Sequence, residues 1–160
     1  MAVYIRARLK KASIDLSRFT QVAVNVLSAA GEAQSELSID LVGDRRMRGL
    51  NRKYRQKDRT TDVLAFAMRE AEKPVGSPQL GDVVISVPTA RRQAREAGHS
   101  LDEEVAALLI HGVLHLCGYD HERSEKEAKR MKRREHGILN KVRPMLQPLA
   151  VTARRRTGSH

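Results

Sequence analysis

The chain has 160 residues, a length that suits one domain around one core. It is 41% hydrophobic but only 3% aromatic, without tryptophan, so the core is expected to be Val, Leu, Ile and Ala, and no apolar run reaches the roughly 20 residues needed to span a bilayer. A net charge of +11 points to a polyanionic partner, nucleic acid ahead of an anionic membrane surface, and the single cysteine, Cys117, excludes an intrachain disulfide and fits a reducing compartment.

Residues 1–11, MAVYIRARLKK, lack the apolar stretch of a secretory signal, so a cytoplasmic protein is expected. VYIRARL (3–9) alternates as a strand does. Residues 16–31 repeat apolar side chains at helical spacing (Leu16, Phe19, Val22, Ala23, Val26, Leu27), with Gly31 placed to end the helix. ELSIDLVG (36–43) alternates again, and Asp44 is positioned to N-cap a short helix through Leu50 and Tyr54. TDVLAFAM (61–68) reads as a strand, residues 70–81 as a surface loop with two prolines and two glycines, and DVVISV (82–87) as a buried strand. Pro88 falls in the first turn of a helix ending at Gly98. Ser100 and Glu103 then form the capping pattern S-x-x-E, opening a helix that is polar for one turn and apolar nearly all round after it. A last, highly charged helix starts near Ser124 and stops before Pro144. The order β-α-β-α-β-β-α-α-α predicts an α+β single domain over residues 1–150, a mixed four-stranded sheet packed with about five helices around a central buried helix. The basic end, 151–160, has no apolar pattern and is expected to be disordered.

The central helix carries HGVLHLCGYDH (111–121), three histidines in one short stretch. His111 and His115 are about one turn apart and project from the same face. If the helix continued, His121 would be carried roughly 240° round and about 9 Å further along. Gly118 tolerates the left-handed conformation that ends helices, so a break there can fold His121 back to the other two. Burying two unsatisfied histidines on an apolar helix would cost about 1–3 kcal/mol per group, a cost that a metal removes. Three imidazoles with an open position describe a catalytic zinc site better than a structural one, and one Zn2+ is the first expectation, with nickel, copper or iron also accepting such ligands. The spacing H-x3-H-x2-G-x2-H also occurs in metzincin peptidases, but those place a glutamate base after the first histidine, where this chain has Gly112. That weighs against proteolysis.

The string HGVLHLCGYDHE closely resembles the signature of the YbeY family, bacterial metal-dependent endoribonucleases of ribosomal RNA maturation. LNRKYRQKDRTTDVLAF (50–66) and LGDVVIS (80–86) resemble two further stretches of that family, in the same order, and the similarity covers nearly the whole chain except the tail. The resemblance implies metal ligation by His111, His115 and His121 and a functional arginine at Arg55. It further implies single-stranded RNA or rRNA as substrate, 16S rRNA 3′-end maturation and ribosome quality control as the setting, and the ribosome or ribosomal proteins as partners. Thr60 stands where the family usually has proline, and Ala65 where it usually has serine.

Basic residues crowd the second helix and the loop after it: Arg45, Arg46, Arg48, Arg52, Lys53, Arg55, Lys57 and Arg59. Arg52, Lys53, Arg55, Lys57 and Arg59 are the candidate RNA contacts, giving sequence-independent affinity that weakens with salt. Arg55 and His111 are the candidate catalytic residues. The arginine offers a planar fork to phosphate and a fixed positive charge for the transition state. The metal would polarise a phosphoryl oxygen or activate water, while attack by the RNA 2′-hydroxyl is an open alternative. Asp120 and Glu122 are the carboxylates open to a general-base role, with positions that only orient the histidines, or lie at the surface, equally in view. Asp62 and Asp82, at the starts of strands, are weaker candidates. Cys117 points away from the histidines and is read as a core residue, and His99 and His136 as surface residues. The rival readings are a non-catalytic ribosome-assembly factor with structural zinc and, further off, a metallopeptidase. No membrane partner is expected, and the oligomeric state is left open.

Overall fold

The structure, a computed structural model, describes residues 2–7, 9, 14–68 and 78–146. Among the described residues, nine elements follow the expected order: β1 (Ala2–Ala7), α1 (Leu16–Ala29), β2 (Glu36–Val42), α2 (Asp44–Arg55), β3 (Val63–Ala67), β4 (Gln79–Ser86), α3 (Val87–Ala97), α4 (Leu101–Leu116) and α5 (Glu125–Leu146). The four strands form one mixed sheet in the order β1-β2-β4-β3; β1, β2 and β4 run parallel, and β3 pairs antiparallel with β4. Alternation then sends Leu37, Ile39, Leu41, Val83 and Ile85 to one face, into a core shared with α1, α3, α4 and α5. The opposite face is partly covered by α2, whose Met47 packs with Val42, Leu64 and Val84. Among the described residues no helix is long and apolar enough to cross a membrane.

Helix ends follow their sequence signals with instructive exceptions. Ser100 accepts the Glu103 amide at 3.1 Å, while the Glu103 carboxylate faces Arg143 Nη2 at 3.4 Å. Gly31 (φ 80°) and Gly98 (φ 77°) end α1 and α3 in left-handed backbone, as expected. Asp44 does not cap α2: Gly43 is the N-cap and Asp44 the first helical residue. Its carboxylate is drawn away by Ser86 (2.6 Å), Thr89 (2.7 Å) and Arg92 (3.1 Å), tying α2 to the β4–α3 junction. Burial pushes this carboxyl up, but those hydrogen bonds and the Arg92 charge outweigh it and hold the group below its usual range. The loop expected over 70–81 is shorter: Gln79, Leu80 and Gly81 already belong to β4, because pairing with β2 extends to Glu36. Residues 69–77, and the expected tail 151–160, lie outside the described residues. Pro144 does not stop α5, which continues to Leu146. A proline this near the end forfeits one backbone hydrogen bond, while Val142 and Leu146 on either side of it reach the core.

Helix α4 packs tightly on the sheet at Gly112. A Cβ there would sit 2.8 and 3.1 Å from the two methyls of Val83 and 3.5 Å from Val63 Cγ2. Val83 is β-branched and fully buried, so it has little freedom to yield. Gly112→Ala is expected to cost about 1–3 kcal/mol, read as a lower denaturant midpoint at unchanged slope; an unmoved midpoint would show that the sheet accommodates the methyl. The same contact bars a glutamate side chain from this position, which gives the missing peptidase base a packing reason.

Candidate metal centre

The turn that ends α4 builds the site. The Gly118 amide bonds the His115 carbonyl at 3.0 Å, and the Tyr119 amide reaches back to the Leu114 carbonyl at 3.0 Å. This paired closure requires left-handed backbone at Gly118, whose φ is 102°. Tyr119 then packs on the core and Arg130 lies over its ring at 4.9 Å, which fixes the exit direction of the chain. The result brings His121 beside the helix pair: ring centroids are 4.7 Å apart for His111–His115, 5.3 Å for His111–His121 and 5.1 Å for His115–His121. One nitrogen from each ring lies within 4.8 Å of the others, a set that could hold one metal ion.

The chemistry of the three rings fits such an ion. Burial lowers the His115 pKa, and neighbouring His111 and His121 lower it further, against smaller opposing effects of Asp120 and the Tyr119 backbone. Both main causes favour the neutral imidazole, which is the ligating form. His111 Nδ1 lies 2.5 Å from Glu135 Oε2 on α5. An ionised carboxylate only accepts, so Nδ1 is the donor and Nε2 is the ring nitrogen left for a metal.

The histidines open into a cavity of about 540 Å³ that Arg55, Asp62, Asp120 and Glu122 also line. Arg55 ends α2, and Gln56 follows in left-handed backbone, turning the chain away from the helix. The Arg55 guanidinium lies over the Phe66 ring, 5.1 Å from its centroid, and donates from Nη2 to the Ala65 carbonyl at 2.9 Å. That contact is to backbone, so it does not depend on the side chain at position 65. Of the five basic candidates, Arg55 alone lines the cavity. Arg52 faces Asp58 at 3.7 Å, Lys53 lies over Tyr54 at 5.1 Å, and Lys57 and Arg59 are exposed on the following loop.

The carboxylates divide. Asp120 Oδ1 accepts the Glu122 amide at 3.0 Å and so holds the turn. Asp62 is approached from behind by Gln93 Nε2 at 3.4 Å; Gln93 also donates to buried Glu104 at 2.8 Å, and Glu104 meets His99 Nε2 at 2.5 Å. His99 is therefore a half-buried member of a polar chain rather than a plain surface residue, whereas His136 is exposed as expected. Asp82 is not brought to the site: it lines a separate groove with Tyr4 and Met68. Cys117 also stays outside the cavity, packed at the core edge with Sγ 3.9 Å from Glu32 Oε2. Glu135 was missed in the sequence. Its signal was present: Met131, Glu135, Ile138 and Val142 lie on one helical row, and a carboxylate in a buried stripe needs a partner.

Known proteins resemble this chain along nearly its whole length. A family model described as "Endoribonuclease YbeY" matches residues 4–143. A protein named Endoribonuclease YbeY from Aquifex aeolicus is 46% identical over 138 residues, covering 86% of this chain and 91% of that one. Its namesake from Geobacter metallireducens is 47% identical over 141 residues, covering 87% and 94%. A solution structure of a Thermotoga maritima protein superposes with a TM-score of 0.62 at 26% identity, covering 88% of each chain. With a family match from the first strand to the last helix, and near-half identity to full-length relatives, the chain belongs to the endoribonuclease YbeY family.

Proposed function

We propose that this protein is a zinc-dependent, single-strand-specific endoribonuclease of the cytoplasm that acts in ribosomal RNA processing, including 16S rRNA 3′-end maturation and ribosome quality control, with residues 1–150 as its catalytic domain. The observation that carries the reading is the shared cavity: three imidazoles able to hold one ion and one arginine fork open into the same space. His111, His115 and His121 are the ligands in this reading, and zinc, when bound, supplies Lewis-acid stabilisation to a phosphoryl oxygen. Arg55 grips the non-bridging oxygens of the scissile phosphate and offsets the charge that develops there. The Ala65 carbonyl and Phe66 ring hold the guanidinium in place, so little side-chain freedom is lost on binding. Glu122 is the cavity carboxylate free to take the proton of the attacking hydroxyl, since Asp120 is engaged in the turn and Asp62 accepts from Thr61 and Gln93. Arg52, Lys53, Lys57 and Arg59 extend positive potential away from the cavity and give contacts along the RNA backbone. Ribosomal RNA within a ribosomal particle is the expected substrate, with ribosomal proteins as neighbours.

The test is metal analysis of the purified protein together with cleavage of a defined RNA in single-stranded and duplex form. Cleavage of the single strand that a chelator abolishes and zinc restores is the expected result. Chelator-resistant cleavage, or none at all with zinc bound, overturns the reading. The product ends separate the two nucleophiles, because a 2′,3′-cyclic phosphate excludes water.

Glu135 positions His111 in this scheme. Glu135→Gln is expected to weaken zinc binding about 10–100-fold, measured by competition with a chromophoric chelator, and Glu135→Asp to recover part of it. Unchanged affinity in Glu135→Gln would remove the orienting role.

A further inference from the structure

A second cavity, of about 300 Å³, adjoins the metal cavity between α4, α5 and the start of β3. The two share Asp62, Val63 and His111, so the second space begins at the edge of the metal ligands. Its walls are apolar (Val63, Leu108, Leu139), its polar groups are Asp62, Glu135 and His136 besides His111, and among the described residues no lysine or arginine lines it. The metal cavity, in contrast, has Arg55. Two carboxylates without a cation disfavour a phosphate there. Apolar walls with an exposed imidazole and a carboxylate at the rim suit a flat, uncharged group whose edge carries hydrogen-bond donors.

We propose that this α4–α5 groove receives the nucleobase of a nucleotide flanking the scissile phosphate. The inference rests on the ribonuclease reading and deepens it by naming a base subsite. The His136 ring meets the face of the base, Val63, Leu108 and Leu139 enclose it, and Asp62 accepts from an exocyclic amino group. Continuity fixes the occupant: a phosphate held at the histidines and Arg55 has its adjoining nucleoside within reach of the groove they border. An unpaired base can turn into such a groove, whereas a paired one must first leave its stack, so the groove supplies a physical reason for preferring single strands.

The experiment uses a zinc-loaded full chain and one single-stranded RNA with a mapped cleavage site. Companion RNAs are abasic at the nucleotide on the 5′ or the 3′ side of that site. One of the two abasic RNAs is expected to be cut about 10- to 100-fold less efficiently in kcat/KM than the intact RNA. Ala107→Trp, which fills the groove from α4, is expected to cut the intact RNA as poorly as wild type cuts the abasic one, with zinc content unchanged. His136→Ala, an exposed site that leaves the fold untouched, provides the second variant, expected to shrink the intact-to-abasic ratio several-fold. Equal cutting of all three RNAs by wild type overturns the subsite, as does an unchanged ratio in both variants. Wild type that cuts none of them while holding zinc overturns the ribonuclease reading itself, and the subsite with it.

Discussion

His121→Ala is expected to give a folded protein that holds no zinc at stoichiometric metal and cleaves RNA at least about 1,000-fold more slowly. Lewis-acid stabilisation of a phosphoryl oxygen is worth several kcal/mol, and each 1.36 kcal/mol is about tenfold in rate. His121 is the ligand to change because it is exposed and lies in the turn after α4, outside the buried cluster. Removing it opens no cavity in the core. His111 and His115, in contrast, project from the helix whose other faces bury Leu109, Ile110, Val113 and Leu114. The core itself needs no ion: α1, α4, α5 and the sheet interlock through aliphatic side chains. The stability lost should then be the linkage of a bound ligand, about 4 kcal/mol when free zinc is 1,000 times its Kd, and should vanish when wild type and variant are compared without metal. A structural zinc behaves otherwise, because its binding energy of about 10–16 kcal/mol is folding energy. If His121→Ala unfolds, or if metal-free wild type does, the assembly-factor reading gains. If the variant holds no zinc yet cuts RNA as fast as wild type, the catalytic metal is lost from the account.

The three-histidine cluster was legible in the sequence because a helix has a fixed period. His111 and His115 had to share a face, and only a left-handed break could return His121, which is the role Gly118 performs at φ 102°. Element order was legible for a similar reason: alternation in β2 and apolar spacing in α1 and α4 each answer to one geometry. What escaped depended on partners distant in sequence. Asp44 looked like an N-cap, and locally nothing says otherwise; Ser86, Thr89 and Arg92 claim its carboxylate only once β4 and α3 lie beside α2. Gln79 and Leu80 read as loop until β2 offers them a strand to pair with. Gly112 could be read as an absent glutamate, but not as the point where α4 touches Val83. Glu135 is the residue that closer reading could have recovered, since charge in a buried helical row is costly unless something receives it.

Arg55→Ala is expected to keep its zinc and lose about 100- to 1,000-fold in kcat, as removal of a single preorganised donor to a developing oxyanion does elsewhere. The expectation follows from how the side chain is held. The Ala65 carbonyl takes one guanidinium nitrogen and Phe66 supports the plane, which leaves the remaining N–H groups to face the cavity. Arg55→Lys should recover little, because an ammonium reaches phosphate as a point charge and cannot both bond the Ala65 carbonyl and present a fork. Changes at Lys53 or Lys57, outside the cavity, should act differently. Each should leave kcat alone, raise KM at moderate salt, and reduce the slope of log affinity against log salt by about 0.7–0.9 if it makes one phosphate contact. The contrast separates chemistry from tethering, because only a group at the reacting phosphate lowers kcat at saturating RNA. An Arg55→Ala protein that merely needs more RNA to reach wild-type kcat would move Arg55 out of the reaction and into the same class as its basic neighbours on α2.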